Sequence, residues 1–396
     1  MDTIVIVGAS LAGLRAAEAL RAEGFEGAIR MVGGEDHLPY DRPPLSKQIL
    51  VGEWQPDRLV LQPDPVADLD VDLHLATWAT GLDPARKVVS TSGGDLAFDG
   101  CVLATGSLVR TLPGQPELAG LHTLRTVDDA LALRADLDAG PGRVVVIGAG
   151  FIGAEVAATA RGRGLDVTIL EGLPVPLQRG LGDRMGMRMA EVHRAQGVDL
   201  RLGAAVEAIE GGDRVERVRL ADGTVIPADV VVVGVGVRPA TDWLDGSGLT
   251  LDDGVVCDAR LVAASGVVAA GDLARWPNER FGTVMRVEHW ENAVEQGRAA
   301  ALALLHGDSA APFAPVPWFW SDQYDTKIQL AGWPGSDAAV EVVEEDESAG
   351  RLVALYGRGG KVVGVLGLNR PRQVMQYRMQ IEAGLDWDDA IAEARA

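Results

Sequence analysis

Cysteine is nearly absent from this 396-residue chain: Cys101 and Cys257 are far apart and form no CxxC. That excludes a local redox disulfide and any cysteine-ligated cluster built by this chain, and leaves two ordinary buried thiols as the expectation. Histidine is also scarce, six in all, and no Ser-His-Asp, Cys-His or HExxH constellation is present. His289, in Val287-Glu-His-Trp-Glu-Asn292, is the one in a suggestive context, and a lone histidine makes no zinc site. Positive charge is outweighed, with 36 Lys and Arg against 57 Asp and Glu for a net charge of −21. Nucleic acid and anionic membrane surfaces are therefore poor partners. The longest apolar run, Val230 to Val237, is broken by Gly234 and Gly236 and falls far below the ~20 residues of a membrane helix. No basic leader precedes the first strand, so the expected location is the cytoplasm.

What the chain does have is glycine, 49 residues, and 47% hydrophobic content, enough for two or three domains with their own cores. Thr3 to Ala17 reads as a β-branched strand, a turn at Gly8-Ala-Ser10-Leu-Ala12-Gly13, and an alanine-rich helix. A glycine turn between strand and helix directs backbone N–H groups and the positive end of the helix dipole at a pyrophosphate. Taken alone, this is equally an ordinary βα turn. Ala28 to Val32 makes a second strand, and Glu35 follows Gly13 by 22 residues, near the ~20 at which an acid meets the adenosine ribose. The pattern then recurs: Arg143 to Ile147 leads into Gly148-Ala-Gly150-Phe151-Ile152-Gly153-Ala-Glu155, and the next strand ends in Glu171. Two fingerprints with strand, helix and terminal acid point to two dinucleotide domains. Glu171 favours NADH, because a carboxylate accepts from a free 2′-OH and repels a 2′-phosphate.

Strands are expected over Leu59–Gln62, Val71–Thr77, Lys87–Thr91, Leu96–Phe98, Cys101–Gly106, Val198–Leu202, Ala205–Ile209, Arg214–Leu220, Thr224–Ile226 and Asp229–Val237. A helix is expected over Thr126–Leu137, and a linker at Pro113–Gly120 suggests a boundary near Leu112. Val267-Val-Ala-Ala-Gly271-Asp272 is another strand closing on glycine and an acid, which could serve a ribityl hydroxyl or simply make a turn. From Pro317 aromatic residues and period-two strands indicate a third, α+β domain. Its charges are segregated in sequence: Asp337 to Glu347 is acidic, whereas Arg351, Arg358, Lys361, Arg370, Arg372 and Arg378 fall in a stretch without acids. That basic stretch is a candidate face for an anionic partner, or a set of scattered solvated charges. If one dinucleotide site holds FAD and the other a nicotinamide, hydride transfer between them is the natural reaction, with the cofactors doing the chemistry.

Six separated segments carry a resemblance: Leu38-Pro-Tyr-Asp-Arg-Pro-Pro-Leu-Ser-Lys47, Ala104-Thr-Gly106, Gly148 to Glu155, Ala270-Gly-Asp272, Val287-Glu-His-Trp290 and Trp318-Phe-Trp-Ser-Asp-Gln323. In this order they resemble the FAD-dependent ferredoxin reductases of bacterial oxygenase systems, of the putidaredoxin reductase and biphenyl dioxygenase reductase type. The resemblance implies a glutathione-reductase-like α/β fold with two Rossmann-type dinucleotide domains and a C-terminal α+β domain. It divides the chain into an FAD domain (1–112 and 245–317), an NAD domain (113–244) and a C-terminal domain (318–396). It assigns Gly8, Ser10, Ala12, Gly13, Glu35, Arg42, Lys47, Ala79, Thr105, Gly106, Arg125, Gly271, Asp272, His289, Trp290 and Trp320 to FAD. Gly148, Phe151, Ile152, Gly153, Glu171, Gly236 and Glu288 are assigned to NADH. Lys47 and Glu155 are the implied catalytic pair, with a structural salt bridge as the other reading.

The implied partner is an iron–sulfur ferredoxin that feeds a cytochrome P450 or a ring-hydroxylating dioxygenase, with Trp320 on its side of the flavin. Two alternatives share the fold. A disulfide or peroxide reductase would need an active cysteine, and a signalling flavoprotein like apoptosis-inducing factor would hold NADH in a long-lived complex. The chain departs from the family pattern at Ser10, where glycine is more usual, and at Gly34, where many relatives place an acid.

Overall fold

The computed structural model describes residues 1–335 and 337–395. The expected C-terminal domain, 318–396, thus includes two residues, Ser336 and Ala396, outside the described set. Two compact units are present: Met1–Asp41, Leu59–Leu108 and Arg238–Trp318 form the first, and Arg42–Arg58, Val109–Val237 and Phe319–Ala396 the second.

The first unit is built on a six-stranded sheet in the order Val262–Ala264, Val267–Ala269, Gly100–Leu103, Thr3–Val7, Ala28–Val32, Val71–His74. The last five strands run parallel, with Ile4 opposite both Ile29 and Gly100. A parallel sheet covered on both faces needs uninterrupted apolar strands, and Ile4, Val5 and Ile6 are fully buried. The helix Leu11–Ala22 crosses the helix Trp290–His306 very closely. A Cβ at Gly297 would lie 2.3 Å from the Ala12 carbonyl oxygen. Two three-stranded sheets lie in the same unit, an antiparallel one of Ala79–Asp83, Val88–Thr91 and Gly94–Ala97, and a mixed one of Val255–Val256, Ala274–Asn278 and Thr283–Arg286.

The second unit repeats the plan with a five-stranded parallel sheet, in the order Asp199–Leu202, Asp166–Glu171, Arg143–Ile147, Val230–Val233, Leu121–His122. An antiparallel trio, Val206–Gly211, Val215–Leu220 and Val225–Pro227, packs Ile209, Val218 and Ile226 against Val145, Ile147 and Val231. The helix Val127–Asp138 opens with a capping box in which Thr126 accepts from the Asp129 amide and Asp129 reaches back to the Thr126 amide. The C-terminal segment forms a five-stranded sheet in the order Trp318–Gln323, Thr326–Gly332, Lys361–Leu368, Arg351–Arg358, Ala339–Asp346. Onto it the long helix Gln178–Ala195, kinked at Gly182, buries Leu181, Met185 and Met189 beside Ile328, Leu352 and Tyr356.

Several expected strands are corrected. Leu59–Gln62 is no strand: Leu59 closes a 3-10 turn over Pro56–Leu59, and an isolated bridge between Val60 and Tyr40 is its sheet-like contact. Prolines at 56, 63 and 65 bracket the segment, and its extended pairing is limited to Leu61 donating to the Pro39 carbonyl and Asp41 donating to the Leu59 carbonyl. Val71–Thr77 stops at His74, and Ala76 adopts φ 48°. Asp229–Val237 is interrupted after Val233.

Replacing Gly297 with Ala gains helix propensity but drives a methyl group into a backbone carbonyl, so the clash dominates and costs about 1–3 kcal/mol. The urea midpoint should fall; an unchanged midpoint would show that the two helices are not so closely apposed. A second expectation concerns pH. His193 is buried, its Nδ1 2.8 Å from the Tyr324 hydroxyl, and burial pushes its pKa from 6.5 down to about 4. The unfolded chain therefore takes up a proton that the native state refuses. The contribution is complete above pH 6.5 and is lost progressively as pH falls towards 4. His193→Gln should flatten the decline in stability across that window; equal slopes in denaturation series from pH 7 to 4 would refute this.

Candidate functional site: two nucleotide cradles and a buried carboxylate

In the first unit, the end of the Thr3–Val7 strand turns at Gly8 with φ 123°. A Cβ there would sit 2.1 Å from the Ala104 carbonyl oxygen, and one at Gly13 would sit 2.0 Å from the Gly8 carbonyl oxygen. Only glycine allows the strand, turn and helix to close this tightly. Ser10 is the N-cap of the helix, in extended conformation, and its hydroxyl makes no capping bond. The first-turn amides, Ala12 among them, are thus uncapped and suit an anionic group. Glu35 stands after the second strand, its carboxylate accepting from the Tyr40 hydroxyl at 2.6 Å.

Further residues of the implied FAD set gather in the same unit. Thr105 donates to the Ala240 carbonyl at 2.8 Å, and the Ala240 amide donates to Gly106. Gly271, at φ 78°, donates its amide to Gln296 Oε1, and Asp272 Oδ2 accepts from Ser107 at 2.6 Å. Trp290 Nε1 donates to Asp41 at 2.7 Å. His289 precedes the helix Trp290–His306; burial lowers its pKa to about 4, with Asp272 opposing, so the ring is neutral near pH 7. Ala79 begins its antiparallel strand, and Glu288 pairs with Arg286 at 2.6 Å.

The second unit holds the better-formed copy. Gly148 has φ 102°, and a Cβ there would lie 2.3 Å from the Gly234 carbonyl oxygen. At Gly153 a Cβ would lie 2.2 Å from the Gly148 carbonyl oxygen, and Gly150 caps the helix Phe151–Gly162 without a side-chain bond. Glu171 accepts the amides of Ala149 at 2.7 Å and Leu173 at 2.8 Å. These bonds shape the turn and leave a carboxylate with acceptor capacity to spare. Phe151 packs edge-on against Phe319, whereas Ile152 is 46% exposed, and Gly236 adopts φ 96° with open space around it.

Lys47 and Glu155, both in this second unit, form an ion pair at 2.6 Å. The Glu155 residue is 3% exposed. Its carboxylate also accepts from Ser46 at 2.5 Å and from Ser321 at 2.7 Å, and Gln323 donates to Ser321. Thr159 in turn donates to the Ser46 carbonyl. Sequence reasoning singled out the pair but missed Ser46 and Ser321, although both lie inside the segments that carried the resemblance. Arg42 donates to the Arg125 carbonyl at 2.7 Å in the same unit, and Trp320 lies on the strand that supplies Ser321.

Four of the six residues in the expected basic docking face have acidic neighbours in the fold. Strand pairing sets the acidic segment beside the basic one, so Arg358 meets Asp337, Arg370 meets Glu344 and Arg351 stands opposite Asp346. Lys361 pairs with Asp386. Charges segregated in sequence are interleaved in space. Cys101 and Cys257 are buried, and burial pushes the first thiol far up and the second up to about 12, so neither supplies a thiolate. Among the described residues no group of His, Cys, Asp and Glu could hold a metal, and no helix is long and apolar enough to cross a membrane.

The pyridine nucleotide-disulphide oxidoreductase model matches residues 2–297, and a reductase C-terminal model matches 318–395. Rhodocoxin reductase of Rhodococcus erythropolis is 38% identical, over 95% of this chain and 88% of that protein. The ferredoxin–NAD(+) reductase component of the Burkholderia cepacia anthranilate 1,2-dioxygenase system is 38% identical, over 97% and 95%. Among solved structures, the covalent putidaredoxin reductase–putidaredoxin complex matches with TM-score 0.91 and 35% identity, over 96% of this chain and 93% of that one.

Lys47→Met leaves the Glu155 charge buried with hydroxyl donors alone, a change that costs about 3–5 kcal/mol for buried pairs. Lys47→Met with Glu155→Gln should recover much of that loss. Denaturant midpoints of the single and double variants test this, and a double variant no more stable than Lys47→Met would overturn it.

Proposed function

We infer the function from one premise: the chain belongs to the pyridine nucleotide-disulphide oxidoreductase family. It is an oxidoreductase that uses FAD and NAD(H) and delivers electrons to an iron–sulfur ferredoxin serving a dioxygenase or a cytochrome P450. The observation that carries this reading is end-to-end similarity to ferredoxin reductases. Two glycine-lined, uncapped strand–helix turns fit two dinucleotides. FAD, when bound, accepts a hydride from NADH and releases its electrons singly.

The residue roles follow by chemistry. Gly8, Ser10, Ala12 and Gly13 present amides to the FAD pyrophosphate, Glu35 accepts from the adenosine ribose, and Asp272, oriented by Ser107, accepts from a ribityl hydroxyl. Gly148, Gly153 and Glu171 do the same for NADH, and the carboxylate of Glu171 repels a 2′-phosphate. Ala79, Thr105, Gly106, Gly271, His289 and Trp290 belong to the FAD set, as Arg42, Arg125 and Trp320 do by the same resemblance, and Phe151, Ile152, Gly236 and Glu288 to the NADH set. Lys47 offers a positive charge to the reduced cofactor, with Glu155 holding the ammonium in place. This reading assigns residues 1–112 and 245–317 to FAD, 113–244 to NAD and 318–396 to a C-terminal domain, and locates the protein in the cytoplasm. The buried, high-pKa thiols argue against a disulfide or peroxide reductase.

Anaerobic titration with NADH should bleach the visible flavin band stoichiometrically, and an oxidised ferredoxin should restore it in rapid mixing. A band that persists through excess NADH would overturn the reading. NADPH should be the poorer donor, and Glu171→Ala should narrow the gap.

A further inference from the structure

We propose that Trp78 forms one wall of the FAD site and stacks its indole on the adenine, an assignment that rests on the first unit being the FAD-binding one. Trp78 is 61% exposed. Its exposed ring presents a large apolar π-face to which a flat ligand can bind. Its backbone is committed elsewhere, the amide donating to Ser92 Oγ at 3.1 Å and the carbonyl accepting from the Ser92 amide at 2.8 Å. The main chain is thus held at the start of the Ala79–Asp83 strand, and the ring is what this residue offers.

The ring lies against Gly34. A Cβ at that position would come within 2.8 Å of Trp78 Cδ2 and Cε3, and 2.9 Å of Cε2. Any side chain there would have to displace the indole. The absence of a side chain at residue 34 therefore leaves room for the indole of residue 78.

That place adjoins the residues assigned to adenosine. The Thr77 amide donates to the Gly33 carbonyl at 2.8 Å and the Ala76 amide to the Glu35 carbonyl at 3.0 Å, so residues 76–78 run alongside 33–35. Glu35, its carboxylate oriented by Tyr40, is the ribose acid, and Ala79 follows Trp78 directly. A purine one bond from that ribose comes within reach of the ring, and base–aromatic stacking requires only two π-faces. A single exposed indole rimmed by Gly34 and Thr77 is too small a patch for protein docking.

The test uses the flavin-loaded protein. Release of FAD, followed by the rise in flavin fluorescence on dilution, should accelerate about tenfold in Trp78→Ala and by less than about threefold in Trp78→Phe, which keeps a ring. The emission difference between wild type and Trp78→Phe should appear only after the flavin is released, because stacking quenches the indole. Wild-type release from Trp78→Ala, equal release from both variants, or an emission difference unchanged by flavin would overturn the assignment. If instead the wild-type protein neither retains FAD on purification nor takes it up on reconstitution, the functional reading fails and the role of Trp78 falls with it.

Discussion

Two backbones brought closer than any side chain permits are the constraint on which each cradle depends. At Gly8 and Gly148 a Cβ would overlap the carbonyl oxygen of Ala104 and Gly234, and at Gly13 and Gly153 it would overlap the turn itself. Such closeness lets the helix begin immediately at the strand end, so that its first amides face outward with no side-chain cap. Both acids lie at the ends of the neighbouring strands, Glu171 closing its own strand and Glu35 standing just past Val32. The geometry is therefore set by absent atoms before any ligand-facing side chain is considered.

The second unit adds a different constraint, a carboxylate withdrawn from water. Glu155, on the dinucleotide helix, is satisfied by donors from two other stretches of chain: Ser46 and Lys47 from the proline-rich loop, and Ser321 from the C-terminal sheet. A buried charge tolerates no missing donor, so these stretches are held in one arrangement. Ser321 and Trp320 are consecutive on a strand. A residue assigned to the flavin is thus held on the same short segment that helps satisfy the carboxylate.

Much of this was legible in the sequence, because strand, glycine turn, helix and terminal acid are local patterns with local causes. The helix expected from Thr126 and the short strands on either side of Gly93-Gly94 were legible for the same reason. What escaped was set by tertiary context. The helix Gln178–Ala195 contains Gly180, Gly182 and Gly186, which weaken any propensity signal, and packing on the C-terminal sheet holds it. Proline defeated the apolar run at Leu59. The basic stretch from Arg351 carries no acid of its own, and the carboxylates that meet Arg351, Arg358, Lys361 and Arg370 come from other stretches that only the fold brings alongside. Ser46 and Ser321 carry no sequence mark of their own, and their meaning comes from the carboxylate they share.

The kinked helix Gln178–Ala195 also bears on how such proteins can be recombined. It follows the second cradle in the chain, yet it buries its apolar face on the C-terminal sheet and accepts the Tyr356 hydroxyl at the Leu181 carbonyl. The stretch that reads as a nicotinamide module is consequently not a transplantable part. A chimera that imported residues 109–237 without 42–58 and 319–395 would set Met185 and Met189 against a foreign sheet and part Glu155 from its own donors, so exchange between relatives must carry the three segments as one inherited block.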